Sequence, residues 1–417
     1  MLDIKYLREN EVKVKAALLK RMDPADLDLA TIFSLDDKRK EIIGKVEELK
    51  SERNKFSKTK PDAATITRMK SLGEEIAALD SDLANVEADF SDKMLALPNI
   101  PADDVVAGGK ENNKVVYTFS ELPKFDFTPK DHVELATTLD IIDYERAAKM
   151  SGSGFWIYKG AGALLEWALL NYFIDFHTTN GYTFIIPPFL LNEASATASG
   201  HLPKFRDDLF WTEDKLCLNA TSEMMLGNYH RDEILSAAEL PHKYFAYSAC
   251  FRREAGSYRK EERGMIRGHQ FNKIEMFQYT RPEESWTAFD QMRSQAEKLL
   301  AGLGLHFQTS QLAAGDCSAA MAKTIDLEVW IPSMGIYKEV SSVSNSLDYQ
   351  CRRGAMRFKN KETGKTEFMH TLNGSGLATS RLLPAILEQF QQADGSVVVP
   401  EVLRRFLPNN LSVISLK

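Results

Sequence analysis

The sequence predicts an α+β protein: an N-terminal antiparallel helical hairpin, then a body built on an antiparallel β-sheet flanked by helices. Three observations lead there. Apolar residues recur in alternating steps of three and four over residues 69–97, a Pro-, Gly- and Asn-rich stretch without periodicity follows at 98–114, and beyond it helical patterns are mixed with neighbouring short β-rich runs. Neighbouring strand patterns argue for an antiparallel sheet rather than repeating βαβ units. The 417 residues, 44% hydrophobic and 27% charged, suit a globular chain of roughly two or three domains.

The first hundred residues carry the hairpin. Met69, Leu72, Ile76, Leu79, Leu83, Val86, Phe90 and Met94 or Leu97 form a heptad seam, and Ile42, Val46, Leu49 and Phe56 a weaker one. Between them Ser57–Asp62 contains Pro61, which breaks a helix. Two helices folding back bury both seams, which predicts a coiled-coil arm over about 34–97 in a domain of residues 1–100. Its charge is uneven: residues 45–70 hold eight basic and four acidic side chains, residues 71–92 seven acidic and none basic. A solvated coiled-coil face and a basic tip that meets phosphates both fit that pattern. The net charge of −7 excludes bulk electrostatic binding of nucleic acid but leaves room for a local basic patch.

Residues 101–115 read as a linker and 116–417 as a catalytic-sized body. There Ala163–Thr179, Glu284–Leu303 and Leu377–Gln392 are predicted helical. Tyr182–Pro188, Lys243–Glu254, His269–Tyr279, Leu327–Ile331 and Ile336–Val340 are predicted strands. The greasiest stretch, Ala161–Phe176, is interrupted by Glu166, Asn171 and Asp175, so no membrane span is expected. Cys217, Cys250, Cys317 and Cys351 are at least 33 residues apart, which excludes a CxxC pair and suits reduced thiols of a cytoplasmic protein. The amphipathic N-terminus has no signal-peptide core.

Familiar nucleotide signatures fail: Lys359 stands where a P-loop ending in Gly364-Lys365-Thr366 needs its first glycine. Phosphate chemistry must then be read by side chains. In Phe251–Phe277 two β-patterned runs flank a charged loop carrying Arg263 and Arg267. Period two puts Arg252 and Glu254 on one face of the first run, and Phe271, Lys273 and Glu275 on one face of the second. Arginine can grip phosphate, a carboxylate can accept from an amine and a ring can stack on a base; a salt-bridge ladder is the plain alternative. Thr221-Ser222-Glu223 is either an extended polar pair or a helix N-cap. Glu339 and Ser342 offer hard oxygens for Mg²⁺, but three residues apart they share a face only across a bulge or at a strand end. Thr371–Leu377 is expected to open a helix that carries Arg381.

Together these segments resemble bacterial-type seryl-tRNA synthetases, class II aminoacyl-tRNA synthetases. The resemblance rests on MLDI at the start, HLPKFRDDLF (201–210), Thr-Ser-Glu (221–223), FRREAG through KIEM (251–276), EVSSVSN (339–345), QCRR (350–353), TLNGSGLA with Arg381, and QQADGSVVVPEVLR (391–404). It implies a class II catalytic domain, and a homodimer formed through motif 1 (181–188). It implies ATP contacts from Arg252, Arg253, Glu254, Arg267, Phe271, Glu339, Val340, Ser341, Ser342 and Arg381. Serine contacts would come from Thr221, Ser222, Glu223, Arg252, Glu275, Asn373 and Ser375, with Mg²⁺ on Glu339 and Ser342. Arg252, Arg381 and Glu339 would be catalytic. The arm, through Lys50, Arg53, Lys55, Lys58 and Lys60, would meet tRNA(Ser), and tRNA(Sec) where such a tRNA exists. Ser222, His201 and Arg259–Glu262 depart from the usual family residues. Relatives that load carrier proteins lack the arm, and a non-catalytic paralogue would have lost Arg252, Glu254 or Arg381.

Overall fold

The computed structural model describes residues 1–56, 62–255 and 264–416. The chain divides into two compact units, Met1–Pro98 and Asn99–Lys417.

In the first unit the two seams become α1 (Leu29–Phe56) and α2 (Ala63–Ala96). At 1.5 Å per residue the 34-residue α2 is about 51 Å long. Leu72, Ile76, Val86, Phe90 and Met94 are buried along it, and Ile42 and Val46 of α1 pack with Val86, flanked by Leu79 and Leu83. The antiparallel order is read from three cross-helix contacts. The Arg39 guanidinium lies over Phe90 at 4.9 Å, Lys50 pairs with Asp80 at 3.6 Å and Arg68 with Glu52 at 2.9 Å. Asp62 caps α2 by accepting from the Thr65 amide at 2.7 Å. The expected turn, with Pro61, Lys58 and Lys60, falls on residues 57–61, outside the described residues.

Near the start of α1 the Asp36 side chain is fully buried and accepts from Lys40 at 2.7 Å and from Arg8 and Arg39 at 3.1 Å each. Burial pushes its pKa up, but the hydrogen bonds and charges of these cations outweigh it and hold the carboxyl below its usual range.

The second unit is built on an eight-stranded sheet. Its strands in chain order are β1 (Lys114–Phe119), β2 (Thr183–Ile185), β3 (His242–Phe251), β4 (Gln270–Thr280), β5 (Phe307–Gln311), β6 (Lys323–Ile331), β7 (Ile336–Leu347) and β8 (His370–Ala378). In space they run β1-β5-β6-β7-β8-β4-β3-β2. Every pair is antiparallel except β2 on β3, a parallel edge strand. Helices α3 (Ala161–Thr179), α5 (Ser285–Gly302) and α7 (Thr379–Gln389) cover it, with short α4 (Glu223–Leu226) and α6 (Tyr349–Arg353) beside it. Leu165, Leu169 and Phe173 of α3, Phe289, Met292, Leu299 and Leu300 of α5, and Leu382, Leu383 and Ile386 of α7 join Ile274, Met276, Leu327 and Val343 of the sheet in one apolar core.

Two expectations are corrected. Thr371–Leu377 does not open a helix: it is the central strand β8, and α7 begins only at Thr379. Its small residues serve packing, because a Cβ on Gly374 would meet Met292 Sδ at 3.0 Å and Val343 Cγ2 at 3.2 Å. β6 and β7 extend to nine and twelve residues, past the short runs expected, since hydrogen-bonded neighbours on both sides carry polar positions into the sheet. At the start of the second unit Asn99 donates to the Ala320 and Ser346 carbonyls at 2.9 and 2.7 Å, and the Ala102 amide to Ala322 at 2.9 Å. All four cysteines are buried and none is disulfide-bonded to another, and no helix among the described residues is long and apolar enough to cross a membrane.

Candidate active site

Pairing of β3 with β4 places Phe251 opposite Gln270, Cys250 opposite Phe271, Ser248 opposite Lys273 and Ala246 opposite Glu275. The ladder continues past β3 through the Arg252 amide, which donates to the His269 carbonyl at 2.9 Å. Phe271, Lys273 and Glu275 project from one face of β4, as period two requires, and line a cleft with Arg252 and Glu254. On β8, Ser375 sits opposite Glu275 and Asn373 two residues earlier opposite Phe277. Both open into the same cleft.

One end of the cleft is rich in arginine. The Arg252 guanidinium lies over the Phe271 ring at 5.1 Å and its Nε donates to the Ala220 carbonyl at 3.3 Å. Arg381, in the first turn of α7, donates to the Glu339 carbonyl at 2.7 Å and the Ile266 carbonyl at 3.2 Å. Arg267 pairs with Glu254 at 2.8 Å. These planar cations suit phosphate oxygens, and the ring suits a base. The remaining condition, a bulge between Glu339 and Ser342, is present. β6 and β7 pair Asp326 with Ser342, Leu327 with Ser341 and Glu328 with Glu339, leaving Val340 as the extra residue. Glu339 and Ser342 accordingly both face the cleft. Beside them Asp326 Oδ1 is buried with no hydrogen-bond partner among the described residues. Burial and then the Glu339 charge hold its carboxyl well above the usual range.

The other end is a small polar box. Lys273 donates to Thr221 Oγ1 at 2.6 Å and pairs with Glu275. Asn373 Nδ2 donates to Glu223 Oε2 at 3.1 Å and to Glu275 Oε1 at 3.4 Å, and Ser375 Oγ to Glu275 Oε2 at 3.4 Å. Burial and the neighbouring Glu275 charge raise Glu223 to about 7 against the opposing pull of Lys273 and Gln350. His201 forms part of the wall. Burial, followed by the charges of Arg252, Lys273 and Arg353, pushes it down to about 3, so the imidazole is neutral. Carboxylates beside hydroxyls and amides in so tight a box suit an ammonium and a hydroxyl on one small molecule.

With this geometry in place, the comparisons with known proteins are decisive. Residues 1–101 match the seryl-tRNA synthetase N-terminal domain and residues 205–390 the tRNA synthetase class II core domain of the G, H, P, S and T group. Serine–tRNA ligase 2 of Clostridium acetobutylicum is 54% identical over 98% of this chain and 99% of its own length. The chain belongs to the seryl-tRNA synthetase family. Seryl-tRNA synthetase of Pyrococcus horikoshii, solved with ATP, superposes with a TM-score of 0.92 at 31% identity, covering 100% of both chains. The cytoplasmic serine–tRNA ligase of Naegleria fowleri, solved with AMP, gives 0.86 at 30% identity over 100% of this chain and 99% of its own.

In this synthetase the cleft gathers Thr221, Glu223, Arg252, Glu254, Arg267, Phe271, Glu275, Glu339, Val340, Ser342, Asn373, Ser375 and Arg381. Three other residues named from sequence are turned elsewhere. Ser222 stands at the N-cap position of α4 without capping it and donates to Ser248 Oγ at 2.7 Å, Ser341 Oγ donates to the Ser375 carbonyl at 2.6 Å, and Arg253 is exposed with its amide on the Asp208 carbonyl at 2.9 Å. Arg263 and Arg259–Glu262 lie outside the described residues. On the arm, Lys50 and Lys55 border an open surface with Glu47, Ser51 and Asn54, while Arg53 is half-buried on α1. Lys273, Asp326 and Gln350 received no role from sequence. The period-two face shared with Phe271 and Glu275 carried a signal for Lys273. Asp326 acquires its neighbours only through the pairing of β6 with β7, and Gln350 only through contacts with segments far off in the chain.

Proposed function

We propose that this cleft is where the enzyme joins L-serine to ATP, before a terminal ribose hydroxyl of tRNA takes the seryl group. The observation that carries the reading is the continuity of the arginine-lined end with the Glu223–Asn373–Glu275–Ser375 box. A nucleotide phosphate and an amino acid can meet there. The ammonium of serine sits on Glu223 and Thr221, and its hydroxyl on Glu275 and Ser375. Its carboxylate attacks the α-phosphorus: an O–P bond forms, the bond to the bridging oxygen breaks, and pyrophosphate leaves with that electron pair. The nucleophile is already ionised, so no side-chain base is required, and the chemistry rests on positioning and charge. Arg252 holds the α-phosphate, Phe271 and Glu254 the adenine, and Arg267 and Arg381 the outer phosphates. The ion pair between Glu254 and Arg267 keeps those two ends of the nucleotide site in one unit.

Glu339, Ser342 and the orphaned Asp326 oxygen make a hard-oxygen set that fits Mg²⁺, with Glu339 and Ser342 as the ligands. When bound, the ion neutralises phosphate charge. Alanine is rejected because the hydrogen bonds that the serine hydroxyl makes with Glu275 and Ser375 stay unmade in a buried site. Lys50, Arg53, Lys55, Lys58 and Lys60 on the arm meet the backbone of tRNA(Ser), and of tRNA(Sec) where present, reading shape more than sequence. A homodimer forms through 181–188. Serine-dependent ATP–pyrophosphate exchange tests the site: Arg252→Ala lowers the rate by about 10² or more, and an active variant overturns the assignment. Parallel charging with serine, threonine and alanine tests the box, with serine alone expected to react.

A further inference from the structure

Helix α6 carries the Gln-Cys-Arg-Arg segment, to which the steps above give no role. Gln350 is 1% exposed, and its side-chain amide is satisfied at both ends. Nε2 donates to Glu223 Oε1 at 2.7 Å and to the Ser199 carbonyl at 2.9 Å. Oε1 accepts from Thr371 Oγ1 at 2.6 Å and from Ser346 Oγ at 3.3 Å. The orientation has no equal alternative. A flipped amide would set its carbonyl oxygen against the Glu223 carboxylate and the Ser199 carbonyl, two contacts between acceptors. With Asn373 on Oε2, the Glu223 carboxylate is held at both oxygens. The same helix fixes the segment that carries His201: Arg353 donates to the Thr197 and Leu202 carbonyls at 3.1 and 2.7 Å.

We propose that Gln350 is a positioning residue of the serine site, acting through Glu223 by orienting its carboxylate toward the substrate ammonium. This rests on the reading that Glu223 receives that ammonium. Glu275, Lys273 and Arg252 are the other charged groups that act on Glu223, and burial raises it, whereas Gln350 helps to keep it ionised. Loss of the donor therefore leaves a carboxylate that is both less fixed and harder to ionise. The cost falls on serine, because none of the four hydrogen bonds of Gln350 reaches a group assigned to ATP.

The test uses the full-length enzyme and serine-dependent ATP–pyrophosphate exchange between pH 5.5 and 9, with Gln350→Met, which keeps side-chain length and removes both donors. The expected result is a rise in serine KM of about tenfold, equivalent to 1.4 kcal/mol, with ATP KM within twofold. The acid limb of kcat/KM for serine moves to higher pH. Equal rises in both KM values, an unchanged serine KM or an unmoved acid limb overturns the proposal. Should Gln350→Met fail to fold, Gln350→Glu keeps the shape and sets a carboxyl against Glu223. That pair holds only while it shares a proton, so kcat/KM for serine should fall as pH rises above neutrality, and a profile like that of the wild type overturns the proposal. Glu223→Gln run in parallel separates the two readings. If it leaves serine KM unchanged, the ammonium site itself is wrong; if it raises serine KM while Gln350→Met does not, only the positioning role fails.

Discussion

Glu223 is the residue whose environment most directly sets a measurable property of the enzyme. Burial and Glu275 raise its pKa to about 7, and a carboxylate must be ionised to hold an ammonium. Below that pH the free enzyme binds the proton instead. The expected outcome is a kcat/KM for serine that falls about tenfold per pH unit below about pH 7, while ATP KM stays level. A flat serine profile down to pH 6 would remove Glu223 from the ammonium site. Lys273 marks the limit of residue-level reading. Period two showed that it shares a face with Glu275, but its hydrogen bond to Thr221 joins positions 52 apart in sequence, and nothing local to either residue announces it.

Among the elements, the helical arm and strand β7 make contrasting cases. The arm was legible because its stabilising contacts repeat along each helix: steps of three and four must form a stripe, and two such stripes bury each other. Deleting Ser34–Leu97 is expected to spare ATP–pyrophosphate exchange and abolish charging of tRNA(Ser), and charging that survives would show that the arm is not the tRNA reader. Near the start of α1, Asp36→Asn removes the charge that Arg8, Arg39 and Lys40 share. The expected loss is about 1–3 kcal/mol of stability in the first unit, measured by denaturant unfolding followed by circular dichroism. The sign with pH follows from the lowered carboxyl. In the wild type its contribution is complete above the unfolded pKa near 4 and disappears as pH falls through the lower folded value, so the wild-type advantage over Asp36→Asn should vanish at the acid end. In β7, by contrast, spacing alone set Glu339 and Ser342 on opposite faces. The slip at Val340 that reunites them belongs to the pairing with β6.

For the whole molecule, the surface around the second strand is the clearest feature still to be accounted for. Ile186 is 72% exposed, just past β2, with Phe184, Leu164 and Trp167 also exposed. Exposed apolar side chains of this size on the segment proposed for the dimer lead to an expectation for assembly. Sedimentation should find a dimer, and Ile186→Asp should weaken it by at least about tenfold, or 1.4 kcal/mol. A wild-type monomer would remove the interface proposed for 181–188. The charge balance reads differently at this scale as well. A total of −7 coexists with a basic stretch at 45–70 because phosphate contact depends on local charge within a screening length of about 8–10 Å.

By itself the sequence determined the α+β class, the hairpin, the face of β4 that Phe271, Lys273 and Glu275 share and the residue types of the site. Each of these follows from a short-range period or from the chemistry of single side chains. The tertiary structure decided that Thr371–Ala378 is a strand, because burial between β7 and β4 overrides the weak local preference of a Gly- and Ser-rich segment. It also decided the bulge at Val340, the orphaned Asp326 oxygen and the clamp of Gln350 on Glu223. Those depend on pairing between elements, from the hairpin of β6 and β7 to the 127 residues that separate the two ends of the clamp, where no local period connects the groups.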